Sequence, residues 1–341
     1  MKILVTGGAG YIGSHTCVNL LEEGHQVAVL DNFCNSYIEV IERIELISDR
    51  KIKIFKADVR DQVAVERVFD CFAPDAVFHF AGLKAAGESV QYPLSYYDYN
   101  LLGSILLLKI MSKKNVKRLI FSSSATVYGN VIEVPISENA VIAPINPYGQ
   151  TKAMIEKLFT DLVSSDSSWS IVCLRYFNPV GAHKSGLIGE SPNGIPNNLA
   201  PYIMQVALGK LNELKVYGGD YATPDGTGIR DYIHVMDLAD GHLAALNYVT
   251  THFGMLAVNL GTGQGSSVLE ILASFQNCSE KLIPYKIVGR RLGDVAKSFT
   301  DPSKAERLLG WTSQLSLDTM CQDAWRWQLK NPNGYDVPGS G

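Results

Sequence analysis

The chain has 341 residues, 46% of them hydrophobic and 19% charged, an apolar share that supports a packed core and excludes an intrinsically disordered polypeptide. Thirty basic against thirty-four acidic side chains leave a formal charge of −4, so nucleic-acid binding lacks its electrostatic footprint. In chain order, apolar β-branched runs at 3–5, 26–30, 51–56, 76–80, 118–122 and 170–175 read as strands. Helical patterns at 12–23, 63–70, 103–112 and 148–164 lie between them. The runs are apolar throughout rather than alternating, as strands covered on both faces must be. Strand and helix in alternation predict right-handed βαβ units.

Near Asn178 the texture changes to loops rich in Gly, Pro and Asn, as in Pro224-Asp225-Gly226-Thr227-Gly228. Helical patterns return at 237–249, 268–277, 303–309 and 318–328, and 256–260 reads as one more buried strand. The predicted fold is therefore α/β, a doubly wound parallel sheet of the Rossmann type with a smaller, interleaved α+β C-terminal lobe. The sheet domain is expected over 1–177 with a returning segment at about 233–261, and the lobe over 178–232 and 262–335. The closing Pro338-Gly339-Ser340-Gly341 reads as a flexible tail.

The first strand runs into Gly7-Gly8-Ala9-Gly10-Tyr11-Ile12-Gly13 and then a helix. Missing side chains permit a tight turn, close approach of backbone to a pyrophosphate, and close helix–strand packing. The helix N-terminus adds free N–H groups and positive dipole density. A second strand ends at Asp31, where a carboxylate takes ribose hydroxyls and repels a 2′-phosphate, so NAD is predicted over NADP.

Asn146-Pro147-Tyr148-Gly149-Gln150-Thr151-Lys152 opens the long helix after the fifth strand, with Asn146 as its cap and Pro147 in its first turn. Tyr148 and Lys152, four residues apart, share a helical face. An ammonium about 4 Å from a phenol at an effective dielectric near 20 favours phenolate by about 4 kcal/mol. The expectation is a phenol lowered by roughly three pK units, usable as a base near neutrality. Ser122-Ser123-Ser124-Ala125-Thr126-Val127-Tyr128-Gly129 closes the fifth strand at its carboxyl end, where ligands of open α/β sheets gather. A serine there can hydrogen-bond a sugar hydroxyl while the tyrosine removes its proton.

With these blocks, and with Phe80-Ala81-Gly82-Leu83-Lys84, Arg175-Tyr176-Phe177-Asn178-Pro179-Val180-Gly181-Ala182 and Gly228-Ile229-Arg230-Asp231-Tyr232-Ile233-His234, the chain resembles the UDP-hexose 4-epimerases of the extended short-chain dehydrogenase/reductases along nearly its whole length. The resemblance implies Tyr148 as base, Lys152 as its activator and ribose ligand, and Ser124 as partner of the sugar 4-hydroxyl. It implies NAD contacts from Gly7, Gly10, Tyr11, Ile12, Gly13, Asp31, Asn32, Asn35, Ser36, Asp58, Val59, Phe80, Ala81, Gly82, Lys84, Asn100, Ser122, Tyr148, Lys152 and Phe177. The UDP-sugar is expected on Lys84, Ser124, Tyr148, Phe177, Asn178, Asn198, Leu199, Val216, Tyr217, Arg230, Tyr232, Arg291, Asp294 and Ser298. Arginines suit the diphosphate, and amides or an acid suit uracil and ribose.

The implied chemistry is oxidation at the hexose C4 to a 4-keto sugar, presentation of its other face, and return of the hydride. Ser298 stands where hexose-only relatives carry Tyr and relatives that also take 2-acetamido sugars carry a small residue. UDP-GlcNAc and UDP-GalNAc are therefore expected beside UDP-glucose and UDP-galactose. The family also suggests a homodimer packed through helices near 101–111 and 148–162.

Two enzymatic alternatives stay open at this point, a UDP-uronate 4-epimerase and a sugar-nucleotide 4,6-dehydratase. The dehydratases place an Asp-Glu pair after the active-site hydroxyl residue, whereas Ala125-Thr126 follows Ser124 here. A non-enzymatic NAD- or UDP-sugar-sensing module is a third. No C-x-x-C and no H-E-x-x-H occurs among the six cysteines and seven histidines, so no metal is expected. No window approaches the roughly 20 apolar residues of a membrane span, and the apolar start is too short for a secretory signal, so a cytoplasmic setting is expected.

Overall fold

The computed structural model describes every residue except 193, 195, 292 and 336–341, so the expected tail at 338–341 lies outside the described residues. Its first half alternates β1 (Lys2–Thr6), α1 (Tyr11–Glu22), β2 (Gln26–Asp31), α2 (Glu39–Ser48), β3 (Lys53–Lys56), α3 (Gln62–Phe72) and β4 (Ala76–His79). Two short helices, α4 (Ala86–Gln91) and α5 (Pro93–Tyr96), lead through a π-helical turn, Tyr97–Leu102, into α6 (Gly103–Lys113). Then come β5 (Arg118–Ser124), α7 (Pro147–Ser165) and β6 (Ser170–Tyr176). The second half holds β7 (Asn178–Val180), α8 (Leu199–Ala207), β8 (Leu214–Tyr217), β9 (Ile229–His234), α9 (Val235–Thr251) and β10 (Gly254–Leu260). It closes with β11 (Gly265–Ser267), α10 (Val268–Ser279), β12 (Tyr285–Val288), β13 (Lys297–Ser298), α11 (Ser303–Leu309) and α12 (Leu317–Lys330).

Seven strands form one parallel sheet in the order β10-β6-β5-β4-β1-β2-β3. One face packs on α1, α2 and α9 through Val18, Ile44 and Leu246, and the other on α3, α6 and α7 through Val65, Met111 and Phe159. Order reverses beside β1, so the carboxyl ends of β1 and β4 flank the crevice in which ligands of such sheets lie. A second core, with Ile203, Phe275 and Ala324, joins α8, α10 and α12 beneath the smaller sheets.

Strand β5 runs two residues past the apolar stretch, because Ser122, Ser123 and Ser124 pair in register with Leu174, Arg175 and Tyr176. That pairing fixes Ser124 at the end of the ladder. Asn146 caps α7, its Oδ1 accepting from the Gly149 N–H at 2.8 Å, with Pro147 in the first turn. Helices α2, α4, α5 and α8 are additions to the sequence expectation. No helix among the described residues is long and apolar enough to cross a membrane.

Candidate active site

The loop after β1 has room for backbone and nothing more. Gly7 has φ +70°, and a Cβ on it would stand 2.6 Å from the Ala81 nitrogen. A Cβ on Gly13 would stand 2.4 Å from the Gly7 carbonyl oxygen. The loop therefore lies tight against the end of β4 and runs into the start of α1, whose first N–H groups have no acceptor within the helix, a cradle that fits a dinucleotide pyrophosphate. Gly10 precedes α1 in extended conformation, Tyr11 sends its hydroxyl to the Gly181 carbonyl at 2.7 Å, and Ile12 packs on the core. Tyr11 thus ties the loop to the chain beyond β6, and only its backbone remains for the cofactor.

Asp31 is buried and braces the same loop. Its Oδ2 accepts from the Ala9 N–H at 3.0 Å and its Oδ1 from the Phe33 N–H and the Ser36 hydroxyl, each at 2.9 Å. Asn32 donates to Asp58 at 2.8 Å, and Arg60 grips Asp58 through two 2.9 Å bonds. That guanidinium holds the Asp58 carboxyl well below the usual carboxylate range. Asn35 is exposed beside this cluster, while the Val59 side chain is buried among Val65, Leu107 and their neighbours. Val59 has only its backbone to offer.

Beyond β4, Ala81 donates to the Thr6 carbonyl at 3.1 Å, and Phe80 lies 4.8 Å from the His242 ring. Asn100, presented by the π-helical turn, fastens the next segment: its Oδ1 accepts from the Leu83 N–H at 2.7 Å, and its Nδ2 donates to the Leu83 carbonyl at 3.0 Å and to Thr151 at 3.2 Å. A Cβ on Gly82 would collide with that Oδ1 at 2.8 Å. The Asn100 side chain therefore positions the loop instead of reaching outward. A π-turn widens the helix locally and recurs at functional sites.

Ser124, Tyr148 and Lys152 come together at the carboxyl end of β5. The Ser124 hydroxyl lies near the Tyr148 phenol and accepts from the Thr126 N–H at 3.2 Å and hydroxyl at 2.9 Å. Lys152 is buried, donates to the Ser122 carbonyl at 2.6 Å, and lies 4.6 Å from the Phe121 ring centre. It stands 5.8 Å from the Tyr148 ring centre.

This geometry corrects the expected acidification. Burial raises the Tyr148 phenol above its ordinary 10.0, with the nearby Ser124 hydroxyl as the opposing influence, and burial lowers Lys152 to about 8. The ammonium is committed to a carbonyl, and desolvation outweighs its field at the phenol.

Phe177 is buried above β6, and its N–H donates to the Leu260 carbonyl at 3.2 Å. Asn178 is exposed at the start of β7. Asn198 sits at the N-terminus of α8, just before Leu199, and its Nδ2 donates to Glu190 at 2.7 Å. The same Glu190 oxygen takes Lys84 at 3.0 Å, so one buried carboxylate joins the two expected binding halves. Glu190 belongs to no motif, so no local signal marks it.

Arg230 donates to the carbonyls of Ile229 and Val295, each at 2.9 Å, with Asp294 at 3.7 Å, and Arg291 lies 4.3 Å over the Tyr217 ring. Ser298 in β13 pairs with Arg230 and is half-buried. Val216 and Tyr232 turn their side chains into the lobe core, so the resemblance can carry over to them through the backbone alone.

A family model described as GDP-mannose 4,6 dehydratase matches residues 4–324. A UDP-glucose 4-epimerase of Bacillus subtilis is 55% identical over 98% of this chain and 99% of that one. The crystal structure of UDP-glucose 4-epimerase from Bifidobacterium longum in complex with NAD+ and UDP superposes with a TM-score of 0.95 at 51% identity, covering 98% and 100% of the two chains. The UDP-Glc/GlcNAc 4-epimerase of Campylobacter jejuni follows with 0.85 at 36% identity over 96% and 99%. The fold and site define an isomerase of the NAD-dependent epimerase/dehydratase class, within the extended short-chain dehydrogenase/reductases. Inside that class the chain belongs to the UDP-glucose 4-epimerase family.

Proposed function

We propose that this chain interconverts UDP-glucose and UDP-galactose at C4, and that the same pocket takes the matching 2-acetamido sugars. Tyr148 removes the proton of the 4-hydroxyl, Ser124 holds that oxygen, and Lys152 orients the ribose side of the site. Gly7, Gly10, Gly13, Asp31 and Lys84 would hold NAD, which when bound supplies a two-electron acceptor for the C4 carbon. The 4-keto sugar must then turn its other face, while Arg230 and Arg291 keep the diphosphate in place. One observation carries the reading: a phenol and a serine hydroxyl gathered at the carboxyl end of β5, with a buried lysine one helical turn away, 5.8 Å from the phenol ring centre.

The wider substrate range rests on Ser298. A hydroxymethyl beside Arg230 leaves space that a phenol would fill, and the UDP-Glc/GlcNAc enzyme of Campylobacter jejuni shares the fold at 36% identity. The test is an NMR product assay on UDP-galactose and UDP-GalNAc with the parent and Ser298→Tyr. The parent is expected to turn over both, and the variant to keep only the first. An inert parent on UDP-galactose overturns the function; an N-acetyl turnover that is absent or unmoved overturns the breadth alone.

The proposed assembly is a homodimer. The 86–102 segment packs beside α7 and leaves Tyr92, Leu94, Leu102 and Met154 exposed, apolar area that a second copy would cover.

A further inference from the structure

A buried ion pair stands directly behind the three residues assigned to chemistry. Glu156 lies one turn beyond Lys152 and two beyond Tyr148, on the same face of α7. Its carboxylate accepts from Arg175 Nε at 3.0 Å and from the second guanidinium nitrogen at 2.6 Å, and both side chains are 7% exposed. It also accepts from the Ser123 hydroxyl at 2.5 Å. Ser123 and Arg175 are register partners of β5 and β6, and Ser124 is the next residue of β5. One carboxylate therefore fastens the helix of Tyr148 and Lys152 to the strand of Ser124 and to its neighbour.

The clamp continues outward. Arg175 donates to the Tyr128 hydroxyl at 2.8 Å, and that hydroxyl donates to Asn259 of β10 at 2.6 Å. Asn259 in turn donates to the Ile136 carbonyl at 3.0 Å. Tyr128 closes the short helical turn that begins just after Ser124, so the segment bearing the serine is held at both ends.

We propose that Glu156 and Arg175 are positioning residues for the epimerase reaction: their pair sets the distance between Ser124 and the Tyr148–Lys152 helix face, and Glu156 places a carboxylate one helical turn from Lys152. The proposal rests on the function assigned above. Lys152 is faced by His79 from β4, by Cys173 from β6, by the Ser122 carbonyl and Phe121 ring from β5, and by Tyr148 and Glu156 from its own helix. Glu156 is the carboxylate among these groups, and its field opposes the desolvation that lowers Lys152. Arg175 and Ser123 together satisfy the Glu156 oxygens, which a buried carboxylate requires.

The test compares Glu156→Gln, Arg175→Lys and Ser123→Ala with the parent. It reads kcat and KM on UDP-galactose against pH, bound dinucleotide, thermal midpoint, and the ultraviolet titration of phenolate. Glu156→Gln is expected to retain dinucleotide and KM, to lose about 100-fold in kcat, the scale of an ångström of misplacement, and to move the alkaline limb to lower pH as Lys152 sheds its proton earlier. Arg175→Lys recovers part of kcat. A folded Glu156→Gln with parental kcat and an unmoved limb overturns the proposal.

If Glu156→Gln fails to fold, Ser123→Ala decides, since it removes one hydrogen bond and no charge. A lower kcat at constant KM with the limb in place supports the clamp, and an unchanged kcat overturns it. Failure of the underlying assignment looks different: Tyr148→Phe then stays active whatever the pair does.

Discussion

Lys152 donates its ammonium to the Ser122 carbonyl at 2.6 Å and stands 5.8 Å from the centre of the Tyr148 ring. The lysine therefore ties the helix to the strand before it acts on the phenol, and the Ser124 hydroxyl is the polar side chain near that phenol. Removing the phenolic oxygen takes away the group that moves the proton and little of the binding surface. Tyr148→Phe is expected to lose 10²- to 10⁴-fold in kcat, the range of a positioned acid–base group. Bound dinucleotide and UDP affinity by calorimetry are expected to stay near parental.

Burial sets a second outcome through Lys152, whose pKa falls from 10.5 to about 8. Below pH 8 folded and unfolded chains both carry the proton, and the cost of burying the charge is present in full. Between pH 8 and 10.5 the unfolded chain keeps a proton that the folded one has shed, so this group's contribution to stability rises with pH. Lys152→Met is expected to melt above the parent at pH 7 while losing activity, with the gap closing toward pH 10.5. Calorimetric melts of the two proteins across that range check the sign.

Gly13→Ala would place a methyl group 2.4 Å from the Gly7 carbonyl oxygen and 2.9 Å from the Gly8 Cα. Both neighbours are backbone, so the phosphate loop itself must shift. The expected outcome is a protein destabilised by about 1–3 kcal/mol that purifies with less dinucleotide. The dinucleotide-to-protein ratio of acid extracts measures this.

Glu190→Ala releases Lys84 and Asn198 at once, because both bond one carboxylate oxygen. Binding is expected to weaken more than chemistry, with KM for UDP-galactose rising about tenfold, or roughly 1.4 kcal/mol, and kcat changing less. A kcat loss at constant KM would place Glu190 in the chemical step instead.

The sheet was legible because its strands, such as Ile171 to Leu174, are covered on both faces and so are apolar throughout. The same rule stops at Ser122, yet the ladder continues to Ser124, because pairing with Tyr176 rather than local hydropathy holds those serines. The π-turn that presents Asn100 has no local signature, and the partners of that side chain, Leu83 and Thr151, lie far along the chain. Spacing put Tyr148 and Lys152 on one face and Asn146 at the cap, and both relations stand in the structure. Spacing could not reveal that the Ser122 carbonyl captures the ammonium, because a backbone oxygen accepts whatever side chain it bears. Glu156 was within reach of the same four-residue spacing, but its partner Arg175 sits on another strand.

Strand β10 arrives late in the chain yet completes the sheet against β6, all the way from Gly254↔Ser170 to Leu260↔Tyr176. A fragment cut after residue 177 would bare the β6 edge, and its unmet N–H and C=O groups would recruit other chains. The second half of the chain is thus no detachable cassette. Swapping it between relatives demands carrying β10 along, whereas trimming or extending loops leaves the framework intact.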